Sequence, residues 1–335
     1  MLLVFGCTDK KRNAETTIAE NAETETIVSE RTLIAGQTFD FKFFAHIFDE
    51  EAAGEDNNFM VSPLSLSMAL AMASNGPEGE TKKEIKESLG IGNYSDDEMN
   101  AYYRDLRDAI LQADSTIKLS IANSIWTNKT FAIYPDFISA NRKNYAAAVE
   151  SADFGDPATV KRINQWASEN TNGLIDDVLQ RTDTLDLMYL LNAIYFKAAW
   201  EKQFDKGLTS PKSFTYENGT QKQVIMMKNT DEFLYAADEI LQIISLPYGN
   251  KSFSLKVLLP QLGKKLNNVV DSIIQPGYWE RLNSVMQSTS VEVSLPKFKT
   301  KYSKELNNTL KNMGIKVAFT DSADFSRMSA KHAFI

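Results

Sequence analysis

The sequence predicts an α+β fold, a single domain in which early helices pack on large, mostly antiparallel β-sheets. Three observations support this prediction. The chain has 335 residues, of which 43% are hydrophobic, so it is long enough to bury a large core. Helical spacing of apolar residues dominates the first half of the chain, whereas alternating spacing dominates the second half. Neither an internal repeat nor a regular strand–helix–strand alternation is present, and both absences favour α+β over α/β or solenoid architectures.

The most apolar stretch, residues 185–200 (LDLMYLLNAIYFKAAW), predicts a central strand that is covered on both faces. A strand with one face in water would alternate between apolar and polar residues. A buried helix stays open as the alternative, because short apolar runs do not fix the period. Asn192 lies in the middle of this run. A buried amide without partners costs about 1–3 kcal/mol, so we expect Asn192 either to be a satisfied core residue or to hold together a sheet that can open.

Capping residues and amphipathic spacing predict the early helices. A first helix begins near Thr38 and carries aromatic residues on one face. Ser62 and Pro63 open a second helix, because a serine N-cap accepts a free backbone N–H and proline lacks the donor that would be unpaired there. This second helix is apolar or small all round, which predicts a core position. Capping boxes that start at Thr81 and Ser95 predict two further helices.

The later elements follow from alternating apolar runs and turn residues. Strands are predicted at residues 117–127, 147–154, 223–236, 240–247, 252–260 and 290–300. Helices are predicted at residues 134–145, after Asp156, and at residues 266–274, 276–285 and 303–313. The turn at residues 248–251 separates two apolar runs and predicts a β-hairpin.

The N-terminal part divides into two segments before the globular domain of residues 37–335. Residues 1–7, MLLVFGC, resemble the end of a bacterial lipoprotein signal and make Cys7 a lipidation candidate, while the run is too short to span a membrane. A frayed terminus with an incidental cysteine is the alternative. Residues 8–36 predict a flexible polar tether. They contain few large apolar side chains, so burial cannot offset the conformational entropy that is lost when the segment becomes ordered.

Composition excludes several classes of function. A net charge of −8 argues against nucleic acid and anionic membranes as partners. With one cysteine, the chain can form neither an internal disulfide nor a thiolate zinc site, and its two histidines provide few ligands for any metal. We therefore expect neither a metal nor a cofactor. Nucleotide-binding and hydrolase motifs are missing as well. A hydrolase that uses Ser62 is the least favoured alternative, because neither His46 nor His332 is placed near it by local sequence.

Eight motifs, in chain order, resemble signatures of the serpin family. They are NNFMVSPLSLSMAL (57–70), NGPEGET (75–81), INQWASENTNGLI (163–175), LNAIYFKAAW (191–200), LPY (246–248), LLP (258–260), LPKF (295–298) and ADFS (323–326). The resemblance covers nearly all of residues 38–326. It implies the serpin fold, with residues 191–197 as the central strand of the main sheet.

The resemblance also implies a mechanical function. In serpins, a protease cleaves an exposed loop, which then inserts as an extra strand into the main sheet and distorts the acylated protease before it deacylates. The expected function is therefore inhibition of a serine or cysteine protease, not enzymatic catalysis. The expected protein is a bacterial serpin, monomeric when complete and secreted or anchored on the extracellular or periplasmic face of the cell envelope. A non-inhibitory serpin (carrier, chaperone or scaffold) and an inactive fragment are the alternatives.

By motif position, the resemblance assigns Ser62, Pro63, Ser65 and Asn192 to the "shutter", where the main sheet parts. It assigns Trp200 to the "breach", where insertion begins. Ordinary core packing is the alternative for each of these residues.

The sequence departs from the family pattern after residues 323–326. In serpins a further strand, a hinge and the reactive loop follow, and the sequence does not contain them, so we expect a chain truncated before the reactive loop. Residues 329–335, SAKHAFI, match either the stretch directly after ADFS or a later histidine-containing strand that follows a deletion. Spacing favours the first, so His332 is not identified with the shutter histidine of the family.

Overall fold

A computed structural model describes residues 2–7, 30–52 and 58–335. These residues form two compact units, which are described separately. The strand-rich unit contains the described part of Met1–Glu23, together with Ala113–Ile117 and Lys197–Lys301. The helical unit contains the described part of Thr24–Gln112, together with Lys118–Phe196 and Tyr302–Ile335. Helices and a large antiparallel sheet confirm the predicted α+β class.

The elements are numbered in chain order. The helices are α1 (Glu30–Ala52), α2 (Pro63–Ala73), α3 (Gly79–Ser88), α4 (Asp96–Gln112), α5 (Pro135–Tyr145), α6 (Pro157–Asn170), α7 (Leu266–Ile273), α8 (Tyr278–Ser284) and α9 (Asn307–Asn312), with a 3₁₀ turn at Val317–Phe319. The strands are β1 (Leu2–Cys7), β2 (Lys118–Asn128), β3 (Ala148–Ala152), β4 (Met188–Lys197), β5 (Asp205–Thr215), β6 (Gln221–Ala237), β7 (Leu241–Tyr248), β8 (Phe253–Pro260) and β9 (Gln287–Pro296). None of the described helices is long and apolar enough to cross a membrane.

Helix α2 forms where its capping residues predict it. Ser62 is the N-cap and accepts a hydrogen bond from the backbone N–H of Ser65 at 3.3 Å, while Pro63 occupies the first helical position. Met68 and Met72 are buried, as expected for a helix that is apolar all round. The core around α2 also contains side chains from α1, α3, α4 and α5 and from the residue directly after α3: Phe39, Ile85, Leu89, Met99, Tyr103, Phe137 and Tyr145.

The helical unit contains a three-stranded sheet in the order β3–β2–β4. Strands β2 and β3 are parallel, with Ser124 opposite Ala148. Strand β4 confirms that the apolar run of residues 185–200 forms a strand and not a helix.

The predicted central strand is packed on both faces, although most of its residues keep part of their surface exposed. Met188 and Leu190 pack against the core around α2, whereas Tyr189 and Leu191 pack against the cluster of Trp126, Phe154 and Ile163. Along β4 only Ala193 is buried, and most other residues are half-buried. Leu185, at the start of the predicted stretch, is 82% exposed and lies before the strand. An apolar run therefore predicts which side chains find a packed layer on each face, but it does not predict how completely each layer covers the strand.

In the strand-rich unit the order is β1–β8–β7–β6–β5, and β9 also pairs with β6. Strands β7 and β8 form the predicted antiparallel hairpin, with Leu241 opposite Pro260 and Tyr248 opposite Phe253. The sequence pattern does not predict strand β5. This strand is largely exposed, contains Gly207 and Pro211, and its register with β6 is irregular between Asp205 and Ser210, so it lacks the apolar alternation that marks a half-buried strand.

The N-terminal segments differ from the sequence prediction in two ways. Residues 2–7 form β1, antiparallel to β8, with Leu2 opposite Leu258 and Cys7 opposite Phe253. Helix α1 begins at Glu30, inside the range predicted as a tether of residues 8–36. The tether boundary is therefore too late, because residues 30–37 contain good helix formers that continue the first helix. Residues 8–29 lie outside the described residues, and lipidation of Cys7 stays a prediction.

Candidate functional site

Asn192 on β4 joins three elements of the helical unit through its side-chain amide. Its Oδ1 accepts a hydrogen bond of 2.5 Å from Oγ of Ser65 on α2. Its Nδ2 donates to Oδ1 of Asn123 on β2 at 2.8 Å and approaches Sδ of Met68 at 3.7 Å. The central strand is thus tied by directional polar contacts both to its neighbouring strand and to α2.

The start of α2 sets the position of the Ser65 hydroxyl. Ser62 caps the helix, so its Oγ is engaged with the backbone N–H of Ser65. Pro63 fixes the backbone of the first turn, and Ser65 follows two residues later. The predicted residues Ser62, Pro63, Ser65 and Asn192 therefore do come together in one place, where they support the contact between α2 and β4.

The polar contacts continue beyond Asn192 into the core. Nδ2 of Asn123 donates to the backbone oxygen of Tyr145 at 2.8 Å, and the Tyr145 hydroxyl donates to Oδ1 of Asn100 at the same distance. Asn100 and Asn75 exchange amide hydrogen bonds of 2.8 and 3.2 Å. This Asn192 cluster runs from the first turn of α2, through β4, β2, α5 and α4, to the residues just after the C-terminal end of α2.

Sequence reasoning missed Asn75, Asn100 and Asn123. All three are buried, with exposed fractions of 5%, 6% and 3%. The signal that singled out Asn192, an amide inside an apolar periodic segment, is also present at Asn123, which sits within an alternating strand. It is weaker at Asn75, which resembles a simple helix stop.

Burial raises the pKa of the Tyr145 hydroxyl well above its usual range. The hydroxyl therefore stays protonated and acts as a donor to Asn100 throughout the range in which proteins are stable. The cluster is neutral, and no group of three or more His, Cys, Asp or Glu able to hold a metal occurs in the described part of the chain. Its chemistry is that of reversible hydrogen bonds.

Trp200 belongs to the strand-rich unit. Its ring stacks on that of Tyr248, with centroids 4.4 Å apart and an interplanar angle of 17°. A β-bridge joins the backbones of the same two residues, and Phe204 contacts the indole edge-on at 5.7 Å. The stack borders an apolar cavity of about 340 Å³, which is also lined by Met227, Leu255, Leu295, Pro296, Lys297 and Phe298.

Comparison with known proteins identifies relatives over almost the whole chain. The family model described as "Serpin (serine protease inhibitor)" matches residues 35–335. Neuroserpin of Gallus gallus is 34% identical over 289 residues, covering 83% of this chain and 70% of the relative. The crystal structure of the thermophilic serpin tengpin in its native state is similar with a TM-score of 0.81 and 30% identity, covering 92% of this chain and 78% of tengpin.

A further structure, reactive-loop-cleaved human thyroxine-binding globulin, is similar with a TM-score of 0.82 and 26% identity, covering 90% of this chain and 89% of that chain. The sequence motifs, the order of helices and strands, the family model and these relatives agree. The chain belongs to the serpin family.

Proposed function

We propose that this serpin chain is the body of an inhibitor of serine or cysteine proteases that acts by taking a cleaved loop into the β2–β4 sheet. The proposal is supported by the family, whose description names serine protease inhibition. The observation that carries it is the Asn192 cluster. A sheet that accepts a strand must exchange contacts with the layer beneath it, and the bonds from Ser65 and to Asn123 can be broken and re-formed individually.

The free energies of forming and losing these hydrogen bonds favour this role for the Asn192 cluster. A single hydrogen bond contributes about 0.5–1.5 kcal/mol net, whereas a fully buried amide left without partners costs about 1–3 kcal/mol, and the half-buried Asn192 carries part of that cost. The closed sheet is therefore held by specific contacts, while a strand that supplies new partners for Asn192 removes the cost of opening. In this proposal Ser62 and Pro63 position α2, Ser65 and Asn192 hold the shutter, and the Trp200 stack marks the breach.

The proposed inhibitor is not an enzyme. The bond that forms and breaks belongs to the protease, and the inhibitor contributes the change of its own fold. The Ser62 hydroxyl is engaged in capping α2, which argues against a role as a nucleophile. Nε2 of His332 is hydrogen-bonded to the backbone oxygen of Asp321 at 2.9 Å, so this ring nitrogen is also engaged.

The test uses the protein encoded by the whole gene. Sequencing of the source DNA beyond the Ile335 codon shows whether the reading frame continues. The protein expressed from the whole reading frame is then mixed with trypsin-, chymotrypsin- and elastase-like proteases. A complex that survives SDS denaturation supports inhibition. Cleavage by all three proteases without such a complex contradicts it. Asn192→Ala should lower the fraction of protease trapped, whereas Asn308→Ala, an exposed residue on α9, should leave it unchanged.

A small-molecule carrier is the second candidate. The cavity beside Trp200 favours it, because its volume of about 340 Å³ and mainly apolar lining suit a small hydrophobic ligand. One structural relative is named for binding thyroxine. Titration of the protein with thyroxine, read by quenching of tryptophan fluorescence in the native chain and in Trp200→Phe, tests this candidate. Saturable quenching that disappears in the variant supports it, and unsaturable quenching contradicts it.

We also infer that the protein acts outside the cytoplasm, secreted or anchored at the cell envelope. The support is the residue pattern MLLVFGC, in which Cys7 would carry the lipid. Metabolic labelling with palmitate in a bacterial host, compared between the native chain and Cys7→Ser, tests the anchor. Label in the native chain alone supports lipidation, and equal or absent label contradicts it.

A further inference from the structure

A second cavity, of about 380 Å³, lies within the helical unit. It is bordered by Lys42 and His46 on α1, by Glu84, Glu87 and Ser88 on α3, and by residues 312–314 at the end of α9. None of these residues belongs to the Asn192 cluster. The cavity is therefore a separate feature, and no role in strand insertion accounts for its charges.

One wall of the cavity is basic. Lys42 and His46 are one helical turn apart, so their side chains lie on the same face of α1. Neither side chain makes an ion pair or hydrogen bond with another side chain in residues 36–51 and 58–335. Lys42 is exposed, so its ammonium group is accessible from solvent as well as from the cavity.

The side of the cavity formed by α3 is acidic, and one of its charges is held rigidly. Oε2 of Glu84 accepts the backbone N–H groups of Lys316 and Val317, both at 2.7 Å, so this carboxylate is fixed by the 3₁₀ turn. Glu87, one turn further along α3, is exposed, and its side chain forms no hydrogen bond and no ion pair within 4 Å in the described part of the chain. Glu87 is therefore the acidic group that remains available to a ligand.

The end of α3 adds to the negative character of this wall. The helix ends at Ser88, and the C-terminal end of a helix carries a partial negative charge that favours a cationic group. Oγ of Ser88 is buried and has no hydrogen-bond partner among the described residues. A buried hydroxyl without a partner is uncommon in folded proteins, and here it borders the cavity.

We propose that this cavity binds a small zwitterion of the α-amino-acid class. The ligand carboxylate lies against Lys42 and His46, and the ligand ammonium lies against Glu87 and the end of α3. A simple anion or cation satisfies only one wall, whereas a zwitterion satisfies both. The volume lies at the lower end of the range for small-molecule sites, about 300–1,000 Å³, and so fits a single amino acid better than a longer peptide.

Isothermal titration calorimetry of the chain with glycine and L-leucine tests the proposal. N-acetyl-L-leucine retains only the carboxylate, and L-leucinamide retains only the ammonium. We expect at least one of the two zwitterions to bind about tenfold more tightly than both single-charge analogues, because each analogue leaves one wall without a charged partner. A direct binding isotherm is required, because amino acids at high concentration also stabilise proteins by exclusion from the surface.

Variants of exposed residues locate the site without disturbing the core. Lys42→Ala and Glu87→Gln should each weaken binding at least fivefold, whereas Lys161→Ala, an exposed lysine on α6, should change it less than twofold. Circular dichroism melting confirms that each variant is folded. Absence of binding by both zwitterions, equal affinity for the analogues, or affinity unchanged in Lys42→Ala and Glu87→Gln would overturn the proposal.

Discussion

The side chains of Ser65 on α2 and Asn192 on β4 are hydrogen-bonded to each other although 127 residues separate them in the chain. The same amide bonds Asn123 on β2, so one residue connects a helix and two strands. Such a junction is sensitive to substitution, because removal of the central amide leaves partners on both sides unsatisfied.

Asn192→Ala should lower the free energy of unfolding by about 2–4 kcal/mol, because it leaves the Ser65 hydroxyl and the Asn123 amide oxygen without partners. Urea denaturation measures this loss. Asn308→Ala, an exposed asparagine on α9, is the matched control and should change stability by less than about 0.5 kcal/mol. In a double-mutant cycle, Ser65→Ala and Asn192→Ala should show a coupling of about 1 kcal/mol, and strictly additive effects would contradict the bond.

Asp40 on α1 should make the protein less stable as pH rises from about 4 to about 7. Burial raises the pKa of Asp40 to about 7, whereas the unfolded chain has an ordinary aspartate. Between these values the unfolded state releases its proton and the folded state does not, so the free energy of unfolding falls with pH and then levels off above about 7. Asp40→Asn should remove this penalty.

Urea denaturation across this pH range checks the prediction for Asp40. At pH values above about 7, Asp40→Asn should be more stable than the native chain by up to about 4 kcal/mol, and the difference should vanish near pH 4. The control is Asp49→Asn, an exposed residue on the same helix, which should leave the pH profile unchanged. A difference between Asp40→Asn and the native chain that is constant with pH would show that ionisation is not the cause.

Asp96 at the start of α4 should contribute stability above about pH 4. Burial alone would raise the pKa of Asp96, but hydrogen bonds from Lys82 at 2.9 Å and Arg327 at 2.5 Å outweigh burial and lower it. Because the folded pKa is below the unfolded one, the stabilisation is present above the unfolded value and is lost as pH falls through the folded value.

Asp96→Asn should therefore lower the free energy of unfolding at neutral pH by about 1–2 kcal/mol. Chemical denaturation at neutral pH, where Asp96 is ionised, is compared with denaturation at pH 3. The loss of unfolding free energy in Asp96→Asn should be smaller at pH 3. Asp97→Asn is the matched control, because Asp97 lies in the same first turn but is exposed. Equal losses in both variants would indicate a helix-dipole effect and not the ion pairs of Asp96.

Gly249 in the β7–β8 turn should tolerate no side chain. A Cβ there would lie 2.3 Å from Oδ2 of Asp114 and 2.6 Å from Oγ1 of Thr116, and the backbone φ is +45°. Asp114 cannot move away freely, because its Oδ2 also accepts the backbone N–H of Asn250 at 2.7 Å. Gly249→Ala should lower the free energy of unfolding by about 3 kcal/mol or more.

The control for Gly249 is Gly263→Ala. Gly263 also has positive φ, +82°, but a Cβ there would meet no atom, so only the backbone cost of roughly 1–2 kcal/mol applies. Thermal unfolding of both variants separates the close contact from the backbone strain. Losses of the same size would mean that the contact with Asp114 relaxes without cost.

Much of the local structure was predictable. The Ser62–Pro63 start of α2, the hairpin at residues 248–251 and the central strand around Asn192 all follow from residues close to each other in sequence. The resemblance of the motifs to the serpin family predicts that Ser65 and Asn192 lie in one region, and their side chains are hydrogen-bonded. Strand β5 could not be predicted in the same way, because an exposed strand with Gly207 and Pro211 has no periodic signal.

By itself, the sequence determined the caps, the turns, the strand that carries Asn192 and the family, because each depends on interactions or motifs within a few neighbouring residues. Only the tertiary structure decided that Asn192 bonds Asn123 across 69 residues, that β4 is half-buried, and that burial shifts the pKa of Asp40. These properties depend on which distant segments are packed together. Periodicity shows which face of an element is apolar, but it does not specify what that face meets.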